Sequence, residues 1–467
     1  MRYTYNGSRK SSRYVQILRE KFANSIGLPL QELLPETMIE QALKDEGIQY
    51  RKRLYDPIVT LWTFLCQVLD SDKSCRNAVS RVLAFLATEL AMEDEKLPSN
   101  DTGAYCKARK RLKESFILRL LRHIGQRLHQ RPEDEHLWCN RPVFLVDGST
   151  LSMADTEENQ AEYPQHTNQS AGCGFPISRI VAVFCLATGA VMEAITGSLD
   201  QQELPLFRGL YDQLKSGDVA LGDRAFGAFA DISLLSQRGV DCVFRMHASR
   251  KTDFRKGKRL GRYDHIIHWK KPRPSDIALT PELYALLPNE LMLREVRFFL
   301  ELKGYRTQVV TLVTTLLDYE IYTKEDLAEL YGLRWQVEID LRHLKTTMQM
   351  EHLRSKTPEM VRKEFYVHLL AYNLLRTVMW DAGIQHHVPP LRISLKGTIQ
   401  HLCNFTPILA VMPEYRDFLY ATMLRIVAHE RVPDRPFRVE PRLLKKRPKH
   451  YKYLQQSRHK IRQQLIA

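Results

Sequence analysis

The apolar residues of this chain first change period at Arg141, and that change limits what it can fold into. From Tyr14 to about Arg131 they recur three and four apart, in segments such as Ile58 to Leu69, Ala78 to Leu90 and Tyr105 to Leu128. This spacing builds one buried face of an α-helix. Val143 to Val146 is then a run without a polar residue, ended by Asp147 and Gly148. Four residues are too few for a helix and suit a strand buried on both faces. Ile180 to Leu186 and Ala190 to Thr196, joined through Ala187, Thr188 and Gly189, predict a hairpin. Gln202 to Lys215 reads as an amphipathic helix, Val219 to Leu221 as a short strand and Phe229 to Gln237 as a helix. An all-α region is therefore followed by an α/β region, a mixed sheet flanked by helices.

Beyond Cys242 to His247 the pattern turns basic, and Leu293 to Leu317 then alternates in period two around Lys303 and Gly304, as a long hairpin does. From Lys324 onward the spacing is helical again, over Lys324 to Met350, Glu359 to Met379, Leu395 to Ile408 and Tyr415 to His429. A chain of 467 residues exceeds what one core usually organises. The expected division is a helical N-terminal domain over 1–140, the first part of an α/β core over 141–241, and a β-rich insertion over 242–317. The second part of the core follows over 318–383, then C-terminal helices and a basic tail over 384–467.

Net charge is +15, which suits a polyanion, because Lys and Arg displace counterions from phosphates. The excess is concentrated. Residues 431–467 hold twelve Lys or Arg against Asp434 and Glu440, with Tyr451 and Tyr453 among them. Arg245 to Ser275 holds eleven against Asp253 and Asp264, so the remainder is slightly acidic. The segment after Tyr105 carries Lys107, Arg109, Lys110, Arg111, Lys113, Arg119, Arg122 and Arg127 beside a Leu-rich face. That is either a solvated face or a DNA contact. Eight cysteines form no C-x-x-C pair and no zinc-ligand pattern. The basic N-terminus lacks a signal-peptide pattern, and Ile180 to Ile195 is too short and interrupted to span a bilayer. Reduced thiols, a cytoplasmic location and no membrane partner are expected.

On the helix from Lys324, Tyr331, Arg334, Glu338 and Lys345 stand at offsets of 0, 3, 7 and 14. At about 100° per residue they share a sector of about 60°, and Arg342 lands beside it. Leu330, Leu333, Val337, Leu341, Leu344 and Met348 form the adjoining apolar sector, with Trp335 read as a packing residue. Taken alone, the stripe could be an ordinary salt-bridged surface. Asp147 and Asp223 change the balance, since each follows a short apolar strand, and acidic residues at the carboxyl ends of neighbouring strands can share one site. Three carboxylates at one cleft call for a cation, and hard oxygen donors suit Mg²⁺ or Mn²⁺. Two such ions activate a water or 3′-hydroxyl and stabilise the leaving oxygen at phosphorus. Tyr331, Arg334 and Lys345 would then face phosphate oxygens.

These residues carry a resemblance. The set Tyr331, Arg334, Glu338 and Lys345 is similar to the Y-x2-R-x3-E-x6-K signature of the DDE transposases of bacterial insertion sequences, in particular the insertion-sequence-four family. Asp147 in VFLVDGSTL and Asp223 in VALGDRAF match its first and second acidic residues, and GCGFPISR and EPRLLKKRPKHYKYL look like it too. The resemblance covers 141 to about 455 well. It implies a ribonuclease-H-like catalytic core interrupted by a β-strand insertion between Asp223 and Glu338, where periodicity independently places one. It implies a bacterial, nucleoid-associated DNA transposase that nicks the ends of its element and joins the 3′ ends to target DNA, with a hairpin as the intermediate between them. Its partners would be double-stranded DNA, bound at the element's ends by the N-terminal domain, and a second copy of the chain on that DNA. The family places an aromatic that stacks on a flipped base where Trp269 stands; a packed strand tryptophan is the alternative. A nuclease or resolvase without strand transfer would use the same carboxylates, and a catalytically silent DNA-binding relative would keep the fold.

Overall fold

The computed structural model describes residues 7–51, 53–90, 96–274, 279–300, 308–433 and 453–466. The turn expected at Lys303 and Gly304, and the tail cations from Arg435 to Lys452, lie outside the described residues. The first third is helical: α1 (Gly7–Ala23), α2 (Glu36–Asp45), α3 (Pro57–Leu69), α4 (Cys75–Leu90), α5 (Gly103–Arg111) and α6 (Glu114–His129). Asp56 starts α3, its carboxylate accepting from the Val59 N–H at 2.8 Å just ahead of Pro57, which satisfies an otherwise orphan donor. The single helix expected over Tyr105 to Leu128 is two, because the backbone turns extended at Leu112 and Lys113 (ψ 129° and 140°) as Leu112 drops into the core.

The sheet follows: β1 (Val143–Met153), α7 (Glu157–Glu162), β2 (Ile177–Cys185), β3 (Val191–Ser198), α8 (Glu203–Arg208), β4 (Val219–Gly222), α9 (Phe229–Gln237) and β5 (Asp241–Arg245). Then come β6 (Lys258–Gly261), β7 (Asp264–Lys270), α10 (Pro281–Leu286), β8 (Glu290–Leu300) and β9 (Gln308–Thr314). The strand order is β3-β2-β1-β4-β5-β9-β8-β7-β6. β1, β4 and β5 run parallel, while β2 and β3 are antiparallel to their neighbours. β5, which a boundary at 242 assigns to the insertion, is thus a parallel neighbour of β4, and the β8–β9 hairpin extends the same sheet through β9.

Two expectations change here. β1 does not end at Asp147 but runs on to Met153, because β2 stays paired with it through Ser152 after β4 has ended. The helix expected over Gln202 to Lys215 stops at Arg208; Gly209 and Leu210 form a turn, and a 3₁₀ turn over Tyr211–Gln213 follows.

The chain returns to helix in α11 (Lys324–Leu333) and α12 (Trp335–Arg342), then a π-helical turn, His343–Thr347. The short β10 (His352–Leu353) pairs with the end of β1. Last are α13 (Pro358–Gln385), α14 (Leu395–Val411), α15 (Arg416–His429) and α16 (Arg458–Ile466). α13 is buried along most of its 28 residues and packs on α3, α6, α14, α15 and β3. One continuous core therefore joins the N-terminal helices to one face of the sheet: Val143, Leu145, Val219, Leu221 and Val243 share it with α3, α6, α12 and α13. Phe144, Val146, Ala220 and Phe244 point into a second core against α8 and α9. Among the described residues no helix is long and apolar enough to cross a membrane.

Candidate active site

Strand register assembles the centre of the site. Val146 pairs with Gly222 across β1 and β4, and Gly222 with Phe244 across β4 and β5. The next residues, Asp147, Asp223 and Arg245, therefore follow abreast at the carboxyl ends of that pairing. Side chains alternate along a strand, so Asp147 shares the face of Val143 and Leu145, the face that α12 covers. The Asp147 carboxylate accepts from the Gly148 N–H at 2.8 Å, and that of Asp223 from the Ala225 N–H at 2.7 Å. The Asp147 carboxyl is pushed up to about 6, first by burial and then by the charges of Asp223 and Glu203, against the pull of the Gly148 N–H and Arg334.

The helix opposite is not the straight rod its spacing predicts. A capping box between Thr323 and Asp326 starts α11. At Arg334 the bonding tightens, its N–H reaching Tyr331 and Gly332, before α12 resumes. Arg334 Nη2 donates to Glu338 Oε1 at 2.9 Å, so guanidinium and carboxylate face the site together. Burial works against the Arg334 charge, but Glu338, Tyr331 and Asp147 outweigh it and hold the guanidinium above its usual range. Lys345, carried by the π-helical turn, donates from Nζ to Ser149 Oγ on β1 at 3.1 Å.

Tyr331 is buried, edge-on to Phe298 with ring centroids 6.2 Å apart, and burial pushes its phenol up while Arg334 and Arg245 pull it down. Arg342 lies exposed at the end of α12. Leu333 and Trp335, expected to pack, are 44% and 51% exposed, because the tightening at Arg334 turns them away from the core.

Asp147 and Asp223 are thus brought together; the Arg334 charge acts on Asp147 and its guanidinium holds Glu338, while Lys345 reaches the same strand at Ser149. Among the described residues no three Asp, Glu, His or Cys side chains converge on one point; Glu338 is held by Arg334 instead. The donors nevertheless fit a divalent cation: they are hard oxygens, and Asp147 is raised first by burial and then by Asp223 and Glu203, so its charged form would gain from a cation beside it.

Two side chains join the site that helical spacing could not find. Arg245 is reached only by carrying the β4–β5 register one residue further. Glu203 lies behind Gly148 on the other face, its carboxylate 3.0 Å from Arg179 Nη1, and a Cβ on Gly148 would fall 2.4 Å from Glu203 Oε1. Trp269 is packed on its strand, as one of its two readings had it. It is buried on β7, its indole N–H donates to Glu295 Oε1 at 2.7 Å, and the Arg250 guanidinium covers its ring at 3.7 Å.

A family model described as Transposase DDE domain matches residues 138–374, half of the chain, and spans β1, β4, the signature helix and most of α13. The chain belongs to this DDE transposase family. The transposase InsG of insertion sequence element IS4 from Escherichia coli K12 is 25% identical over 437 residues, covering 90% of this chain and 92% of InsG. The transposase of insertion sequence element IS231C from Bacillus thuringiensis subsp. berliner is 23% identical over 206 residues, covering 36% and 43%. A piggyBac transposase synaptic complex with hairpin DNA shows 10% identity and a TM-score of 0.42 over 86% of this chain and 85% of that one, a likeness too distant to bear on the site. This DDE transposase is therefore an enzyme acting on DNA.

Proposed function

We propose that this transposase cuts DNA at the ends of its own insertion element and joins the freed 3′ ends to target DNA, with Asp147, Asp223 and Glu338 as the catalytic carboxylates. One observation supports the reading: parallel register sets Asp147 beside Asp223, and Arg334, which bonds Glu338, acts on Asp147 from the helix opposite. The strand order β3-β2-β1-β4-β5 with parallel β1, β4 and β5 supports a ribonuclease-H-like core. The three carboxylates would hold Mg²⁺, with Mn²⁺ as a substitute, at two positions. Bound there, the ions make the attacking oxygen more nucleophilic and offset the charge growing on phosphate and leaving oxygen. The protein's own part is to orient the strand. Arg334, Lys345, the exposed Arg342 and the Tyr331 phenol supply donors along one stripe, so the phosphate entering the cleft meets fixed partners. Trp269 can take part in base stacking only when Arg250 leaves its face.

The finer steps are part of the same proposal: attack of the first 3′-hydroxyl on the opposite strand to form a hairpin, and action as a dimer, since two ends must be held at once. The N-terminal helices would bind the ends. There a cavity of about 490 Å³ is lined by Arg51, Arg53, Arg111 and Lys113, cations that suit phosphate.

The test incubates protein and Mg²⁺ with linear DNA carrying the element's terminal repeats, comparing wild type with Asp147→Asn and Asp223→Asn. Cleaved and joined products are expected from wild type alone, while both variants still bind the ends. Cleavage without joining would indicate a nuclease, and binding with neither product a silent relative.

A further inference from the structure

Behind the face that carries Glu338, the same helix is gripped by buried charge. Asp340, two residues on, is fully buried; its Oδ1 accepts from Gln336 Nε2 at 2.9 Å and pairs with Arg376 Nη2 of α13. Arg376 is equally buried, and its Nε and Nη2 donate to the Tyr372 hydroxyl at 2.8 and 2.5 Å. The turn between β2 and β3 closes over it. Gly189 there has a φ of +68°, and a Cβ on it would lie 2.7 Å from Arg376 Cζ. β2 is also the strand paired with Asp147, through Ala182. One guanidinium is thus wedged among α12, α13 and the turn of Asp147's neighbouring strand. The grip also sits between the two ends of the signature, since the helix loosens into its π-helical turn at His343 and reaches Lys345 two residues later.

Stability does not require such a pair. Buried ion pairs are often no better than well-packed apolar residues, because desolvation consumes the Coulomb gain. An ion pair with a fixed hydrogen-bond fork does fix direction, which apolar packing does not. We propose that Asp340 and Arg376 are positioning residues that fix the bearing of the helix carrying Glu338 relative to the strand of Asp147, without touching the DNA themselves. The inference rests on the proposed role of Glu338.

The decisive variant is the double substitution Asp340→Leu/Arg376→Met, which keeps bulk and removes both charges. It should unfold at or above the wild-type temperature and bind DNA ends as wild type does. It should nonetheless lose about tenfold in affinity for Mn²⁺, measured by calorimetry on the protein alone, and about a hundredfold in cleavage rate. The milder Tyr372→Phe, which removes only the hydroxyl on Arg376, should move both readouts the same way by about threefold with its melting temperature little changed. Wild-type Mn²⁺ affinity and cleavage in a folded double variant would overturn the proposal, as would losses in either variant that only track a fall in melting temperature. Glu338→Gln is measured alongside. It should lose both Mn²⁺ binding and cleavage; if it keeps both, the assignment of Glu338 fails, and the positioning role fails with it.

Discussion

At the scale of single residues, the site holds a carboxylate against the cost of its own burial. Asp147 is largely buried beside Asp223 and Glu203, and its carboxyl is pushed up to about 6 from an ordinary value of 3.8. At pH 7.5 without divalent ions that carboxylate is charged in the folded state at a cost it does not meet when unfolded, so removing the charge should stabilise the protein. Asp147→Asn is expected to raise the unfolding free energy in EDTA by about 1–3 kcal/mol, at one pKa unit per 1.36 kcal/mol, while abolishing cleavage in Mg²⁺. Urea denaturation of the two proteins checks this, and an unchanged or lower midpoint in EDTA would count against it. The places of Asp147 and Asp223 after paired strands and of Glu338 on a helix were legible in the sequence, because short apolar runs and helical spacing mark them locally. Arg245 and Glu203 were not, since their nearness depends on how distant segments pair. Trp269 was open to two readings because burial and the Arg250 cover are tertiary facts.

At the scale of elements, periodicity located most strands and helices but not their ends. β1 outlasts its apolar run because β2 supplies hydrogen bonds as far as Ser152, a partner no local pattern announces. The signature helix tightens at Arg334 and loosens at His343, so an ideal 100° wheel misplaces Leu333 and Trp335. α13 shows what fastens helix to sheet. Asn373, fully buried, accepts from the Val191 N–H and donates to the Val191 carbonyl, both at 2.8 Å, and so serves the backbone of β3 at its first residue. Asn373→Leu would leave that N–H and carbonyl buried without partners. Each orphaned group costs about 1–3 kcal/mol, so a loss of about 2–5 kcal/mol is expected in equilibrium denaturation. A loss under 1 kcal/mol would mean that β3 is not held by this contact.

At the scale of the whole molecule, the helical first third and the α/β part share one apolar core, and the Arg131–Asp381 ion pair sits at that junction. Arg131, just past α6, pairs with Asp381 on α13 at 2.5 Å, next to Tyr420 of α15. The Asp381 carboxyl is pushed up to about 6, first by burial, with Arg131 opposing and Glu32 adding to the rise. Because the folded value exceeds the unfolded 3.8, the folded protein holds an extra proton between about pH 4 and 6. The stability this provides is complete below pH 4 and is lost as pH rises through 6. Half-buried His343 and buried His368, pushed down to about 3 and about 4 chiefly by desolvation, act in the opposite sense over an overlapping range, so the wild-type profile alone would hide the effect. A difference between two proteins isolates it. Asp381→Asn loses the Arg131 ion pair and also the titration. The unfolding free energy of the variant minus that of wild type should therefore climb by about 1–3 kcal/mol between pH 4 and pH 7. Denaturant melts at half-unit pH steps would show the climb. A difference that stays level across that range would place Asp381 in water, and with it the junction of α6, α13 and α15.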